Sequence, residues 1–219
     1  MKLQYLGHAC FRIISEIGTT VVCDPFDDET LSVPMTHVRA DVVTVSHDHH
    51  DHNCVQNVSG QPAVLQQLKI DCAADDIAIS SIQTFHDHHQ GMRRGQNFVF
   101  TFVVDGLSVA HLGDLGVVDE NVIQKVKGCH VLMVPVGGIF TLNAAEAKQL
   151  VDAVNPKVVI PMHYYTPEHT FRLGDLSAFT SLFDEKQVKV YGDTVNFWDE
   201  PQNEKPEVWI MSRFEDQNY

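Results

Sequence analysis

Val42-Val43-Thr44-Val45-Ser46-His47-Asp48-His49-His50-Asp51-His52-Asn53 joins an unbroken β-branched run to a polar turn with the spacing H-x-H-x-D-H. The apolar run reads as a buried strand. A strand that ends in a turn fans alternate side chains apart, so His47 and His49 point one way and Asp51 and His52 turn toward a neighbouring point. Imidazole and carboxylate are preferred ligands of zinc and its divalent neighbours. The spacing therefore allows two adjacent metal ions. A histidine-rich tract or an expression tag would lack a buried strand leading into it.

Outward from this stretch, the same arrangement of strand followed by polar residue recurs. Asp24 follows Val21-Val22-Cys23, His86 follows Ile82-Gln83-Thr84-Phe85, Asp114 follows Val109-Ala110-His111-Leu112-Gly113, and His163 follows Val159-Ile160-Pro161-Met162. One such residue alone is most often a turn former or a satisfied hydrogen-bonding group. Several together matter more, because strand ends on one rim are where α/β proteins assemble sites. The strands ending at His47 and His163 also echo one another, and two similar βα units facing each other would bring those histidines together.

Short apolar runs fill the first half: Leu3 to Leu6, Cys10 to Ile14, Thr20 to Cys23, Ile77 to Phe85, Phe98 to Val104 and Leu107 to Leu112. Asp105-Gly106 between the last two is a two-residue hairpin signal, since both residues tolerate positive φ. In the second half Asn143 and Glu146 form a helix-start pattern ahead of Ala147, Leu150, Val151 and Val154. Leu176, Phe179 and Phe183 mark another amphipathic helix capped by Asp175. Each half is expected to supply strands and covering helices. Residues 25–40 and 86–96 read as long loops, and the tail from Glu215 is expected to fray.

Composition bounds the rest. With 219 residues, 44% hydrophobic and 20% charged, residues 1–219 read as one globular domain with a sizeable core. The net charge of −14 is spread along the chain. That argues for solubility and against nonspecific nucleic-acid binding. It still permits an anionic substrate, because bound divalent ions dominate their local field. Five scattered cysteines without a CxxC pair fit reduced thiols. No window reaches transmembrane length, and Met1-Lys2 leads straight into an apolar strand without a basic leader. A cytoplasmic protein without membrane partners is expected; the oligomeric state stays open.

In order and spacing, Asp24, the His47/His49/Asp51/His52 signature, His86, Asp114 and His163 resemble the metallo-β-lactamase superfamily of metal-dependent hydrolases, over nearly the whole chain. Gly7-His8-Ala9, His111-Leu112-Gly113-Asp114, Pro135-Val136-Gly137-Gly138 and Ile160-Pro161-Met162-His163-Tyr164 look like its small branch related to L-ascorbate-6-phosphate lactonase. The resemblance implies an α/β fold, a four-layer αββα sandwich with the site on one edge of the two sheets. It also implies that His47, His49 and His86 hold one metal, that Asp51, His52 and His163 hold the other, and that Asp114 bridges them. A shared water would then be acidified enough to act as nucleophile near neutral pH, with Zn2+ as the default ion and Mn2+ or Fe2+ next. Asp51 and Asp114 are the catalytic carboxylates, and Asp24 is cast as an anchor that orients ligands or water. His86 is preferred to His88 and His89 as third ligand because it is the first residue beyond its strand. Arg94, His8, His111 and Tyr164 are the candidate substrate contacts, although a core histidine satisfied by backbone is an equal reading of His8 and His111.

Several branches of the superfamily do not fit. The commonest zinc β-lactamases are secreted and place a cysteine where this chain has Asp114. Flavodiiron reductases carry a carboxylate at the position of His49, and RNA-processing members add a large domain and basic surfaces. Two enzyme readings remain: opening of a small, anionic lactone or carboxylic ester, and phosphodiester hydrolysis. A binding or regulatory protein without turnover is the third class.

Overall fold

The computed structural model describes residues 1–66, 71–198 and 201–214. In chain order the first strands are β1 (Lys2–Gly7), β2 (Cys10–Ile14), β3 (Thr20–Cys23), β4 (Val38–Arg39), β5 (Val42–Val45), β6 (Val58–Ser59) and β7 (Ala63–Gln66). They are followed by β8 (Asp71–Ala74), β9 (Ile77–Phe85), β10 (Gln96–Val104) and β11 (Leu107–His111). The remainder runs α1 (Glu120–Val126), β12 (Val131–Pro135), α2 (Ala144–Val154), β13 (Val158–Met162), α3 (Leu176–Thr180), β14 (Val188–Tyr191), β15 (Thr194–Asn196) and β16 (Glu207–Met211).

Apart from the two-stranded β4–β6 pair, one sheet has six strands in the order β15-β1-β2-β3-β5-β7, and the other has eight in the order β14-β16-β13-β12-β11-β10-β9-β8. Period-two alternation explains how they stack. Phe98, Phe100, Phe102 and Val104 of β10 meet Leu3, Tyr5, Phe11, Ile13, Val21 and Cys23 between the sheets. The intervening Val99, with Leu132, Val134 and Val159, faces outward onto Val122, Val126, Leu150, Val151 and Phe179 of the three helices. Burying a side chain of this size contributes roughly 1.5–3 kcal/mol. Two apolar faces on one sheet therefore fix a layer on each side.

The α/β sandwich is the expected one, but helices do not cover both halves. Among the described residues α-helices occur only from residue 120 onward, all on the eight-stranded sheet. The outer face of the six-stranded sheet is covered instead by Phe26, Leu31 and Met35, packed on Leu6, Val22, Val43 and Val45. Pro25 and Pro34 interrupt that segment and deny it a helix. Neither histidine-ending strand opens a βα unit directly: β5 runs into a loop with a short 3₁₀ turn at Val55–Asn57, and β13 into the loop before α3.

Local signals hold where the chemistry is explicit. The β10–β11 hairpin pairs Val104 with Leu107, and Asp105 and Gly106 adopt φ of 51° and 77°. Asn143 and Glu146 close a full capping box on α2, whose buried residues are Ala147, Leu150, Val151 and Val154. Asp175 sits at the N-cap of α3 but makes no capping hydrogen bond, and Phe183 lies past the end of that five-residue helix. The tail from residue 215 falls outside the described residues. No described helix is long and apolar enough to cross a membrane.

Candidate metal centre

β1, β3, β5, β9, β11 and β13 end on one rim of the sandwich, and each hands on to a histidine or aspartate. Three of these residues, His8, Asp24 and His163, leave their strands with φ of 55°, 45° and 52°. Left-handed backbone is unfavourable for non-glycine residues and collects at functional sites. The abrupt turn keeps each side chain at the rim.

Asp114 lies at the middle. Its Oδ2 is 3.1 Å from His86 Nε2, 3.2 Å from His163 Nε2 and 3.7 Å from His47 Nε2, while Oδ1 is 3.2 Å from His52 Nε2. Donor atoms of His47, His49 and His86 lie within 4.8 Å of one another, as do those of His8, Asp51, His52 and His163. The six imidazole and carboxylate positions His47, His49, His86, Asp51, His52 and His163 thus form two neighbouring groups with Asp114 between them.

Hydrogen bonds around Asp24 set the ring orientations. Ser46 donates its N–H to Asp24 Oδ1 at 2.8 Å and its hydroxyl to Oδ2 at 2.5 Å. With its only hydroxyl proton committed, Ser46 Oγ accepts from His47 Nδ1 at 2.9 Å. His52 Nδ1 donates directly to Asp24 Oδ2 at 2.9 Å. Both rings therefore turn Nε2 toward Asp114. On the other side buried Asn97 accepts the Asp114 N–H at 2.9 Å and donates to Leu112 O at 2.8 Å, holding the turn beyond β11.

The charge balance calls for a cation. Burial opposes ionisation of Asp114, yet His163, His52 and His86 hold its carboxyl well below the usual range. Burial likewise opposes charge on His52, but Asp114, Asp51 and Asp24 lift it to about 10. Burial and the neighbouring His52 push His47 well down. Buried Nε2 of His47 and His52, Nδ1 of His86, both ring nitrogens of His163 and Oδ1 of Asp114 have no hydrogen-bond partner. Buried polar atoms are seldom left unpaired. Of these, the Nε2 atoms of His47, His52 and His163 gather around Asp114 and fit divalent metal ions, which these residues could hold.

A cavity of about 340 Å³ opens onto the cluster, lined by His49, His50, Asp51, His86, Arg94, Asp114, Phe140 and Phe171. Arg94 lies over Phe140, 4.5 Å from the ring centre, and donates to Ile139 O at 3.5 Å. Its loop is organised by Asp87, whose carboxylate accepts backbone N–H groups of His89, Gly91, Arg93 and Arg94 and is pulled down to about 2 despite its burial. His86 is buried at the cluster, whereas the largely exposed His88 pairs with Glu146 at 3.2 Å.

Two candidate substrate contacts stand away from this cavity. His111 donates from Nε2 to Ala9 O at 2.8 Å and accepts the Gly113 N–H at Nδ1 across 3.2 Å, so both ring nitrogens are used by backbone. Tyr164 is enclosed among core side chains. His8 is buried behind Asp51, with Nε2 3.3 Å from Oδ2. Ser46, Phe140 and Phe171 carried no sequence signal. Asp87 carried a weak one, an aspartate opening a glycine-flanked turn.

Residues 2–163 match the beta-lactamase superfamily domain. The chain belongs to that superfamily. A UPF0173 metal-dependent hydrolase of Methanospirillum hungatei is 28% identical over 210 residues, covering 84% of this chain and 91% of its own length. One of Methanoculleus marisnigri is 30% identical over 189 residues, covering 76% and 82%. A Thermotoga maritima protein, solved as a candidate Zn-dependent hydrolase of the metallo-β-lactamase superfamily, superposes with a TM-score of 0.79 at 36% identity over 96% of this chain and 99% of its own. The chain is thus a metal-dependent hydrolase of the metallo-β-lactamase superfamily.

Proposed function

We propose that the chain opens a small anionic lactone or carboxylic ester at a two-metal centre, with His47, His49 and His86 holding one ion, Asp51, His52 and His163 the other, and Asp114 between them. The observation that carries this reading is the cavity wall, which pairs that cluster with Arg94 and two phenyl rings and, among the described residues, contains no serine, threonine or cysteine. With no hydroxyl or thiol side chain on that wall and its carboxylates and imidazoles placed to hold ions, a water is the nucleophile in this reading. A pair of divalent ions, Zn2+ for this imidazole-rich set, would acidify that water and draw charge from the substrate's carbonyl oxygen. Asp24 holds His47 and His52 in the orientation that offers Nε2. Asp51, engaged on Oδ2 by His8, has its other oxygen to offer the second ion. Arg94 clamps the substrate's carboxylate or phosphate, since a guanidinium fork suits planar anions, while Phe140 and Phe171 flank a flat ring. Five free cysteines agree with a reducing, cytoplasmic setting.

A panel of lactones, phosphodiesters and thioesters, tested on Zn2+-loaded and Mn2+-loaded protein, decides the reaction. Lactone turnover that disappears in Asp114→Ala supports the proposal. Turnover of phosphodiesters alone would transfer the site to the second reading. A fully loaded protein inert toward all three would favour a binding role.

A further inference from the structure

We propose that His169 is a positioning residue for Asp51, acting through His8. Four groups form one chain of contacts. Thr166 N–H donates to His169 Nδ1 at 3.0 Å, His169 Nε2 lies 3.0 Å from His8 Nδ1, and His8 Nε2 lies 3.3 Å from Asp51 Oδ2. Its direction follows from the two ends. A backbone N–H only donates and a carboxylate only accepts. Nδ1 of His169 is therefore the acceptor, its ring proton sits on Nε2 and points at His8 Nδ1, and the His8 proton is left on Nε2, facing Asp51.

The backbone of His8 is already fixed. Tyr5 Oη and the His163 N–H both donate to His8 O, at 3.1 and 3.0 Å. Ring rotation and tautomer are what remain to be set, and His169 sets both. Phe171 packs edge-on against both rings, with centroids 5.8 Å from His8 and 5.5 Å from His169. His169 itself is held by the loop before α3, where it bridges to Leu31 on the cover of the six-stranded sheet. The chain thus joins an irregular loop to a carboxylate that lines the cavity. Groups that hydrogen-bond a metal ligand commonly tune affinity about 10–100-fold.

The test has two arms, and only the second rests on the reading of Asp51 as a ligand. In the first, imidazole nitrogen NMR of the full-length metal-free protein should show His8 and His169 as Nε2–H tautomers. An Nδ1–H tautomer at His8 overturns the proposal without any variant. In the second, Zn2+ is titrated against a chelator in wild type, His169→Leu and His169→Gln. Glutamine can accept from Thr166 and donate to His8, and leucine can do neither. His169→Leu should weaken one of the two ions about 10-fold and disturb the His8 signals, with His169→Gln close to wild type in both. A leucine variant that matches wild type, or a glutamine variant as impaired as leucine, refutes the assignment. Weak Zn2+ binding by wild type itself would count against the two-metal reading, and the tautomer measurement would still decide the role of His169.

Discussion

Asp24 accepts the Nδ1–H of His52 across 2.9 Å with neither side chain exposed to solvent. The same carboxylate takes both Ser46 donors and so reaches His47 as well. One residue thereby orients two imidazoles from behind. Asp24→Asn should lower Zn2+ affinity about 10–100-fold, read by chelator competition. Unchanged affinity would reduce Asp24 to a turn former.

His86→Ala should lower metal content and hydrolysis together, because its Nε2 is 3.1 Å from Asp114. His88→Ala and His89→Ala should leave metal content near wild type, since those residues sit on the loop and His88 is engaged by Glu146. Elemental analysis of the three variants checks the assignment. The opposite ranking would move the third ligand into the loop.

Arg94→Ala should raise KM for an anionic substrate well above its effect on a neutral analogue, without loss of metal. Removing a charge-assisted hydrogen bond of this type costs about 1.5–3 kcal/mol, roughly a 10- to 100-fold change. Equal kinetics on both substrates in mutant and wild type would reject the clamp.

Stability of the chelated protein should peak near about pH 6.5, the unfolded-state value for histidine. His52 is raised to about 10 in the fold, so its contribution is complete below about 6.5 and is lost as pH rises through 10. His8 is lowered by burial and by His163 to about 3, so its contribution is present above about 6.5 and is lost as pH falls toward 3. Urea midpoints across this range test the pair. A midpoint climbing steadily toward either extreme would contradict the signs.

A Cβ on Gly137 would stand 2.1 Å from His163 O, whereas one on Gly192 would meet nothing within 4 Å. Gly137→Ala should therefore cost about 1–3 kcal/mol and reduce Zn2+ content by displacing His163. Gly192→Ala serves as the neutral control. Thermal melts and metal content of the two variants separate close approach from a general effect of alanine.

Much of this arrangement was legible because its signals are local. Asp105-Gly106 and the Asn143/Glu146 pair specify turn and cap through their own chemistry. Strands that end in histidine or aspartate announce a rim. Edge strands such as β8 and β14 were not named, since short exposed segments carry little alternation. Helices on both halves were expected from the layer argument, but Pro25 and Pro34 force the first half to use irregular chain instead. His111 and Tyr164 looked like site residues from their neighbours in sequence, and only the three-dimensional structure shows the His111 ring bonded to backbone and Tyr164 enclosed in the core. His169 is 161 positions from His8, so no spacing rule could have paired them.

Asp24, His47 and His52 hang from the six-stranded sheet, while His86, Asp114 and His163 hang from the eight-stranded one. Apolar contacts hold the two layers together without fixing how they slide, because burial is not directional. Ions gripped from both sides would act as rivets through that seam, closing long stretches of chain much as a covalent bridge does. A ligand that recognises only the assembled seam adds about 4 kcal/mol at a thousand times its Kd. Metal supply would then govern how long the protein survives as well as how fast it works, and a chelator would behave toward it as a mild denaturant.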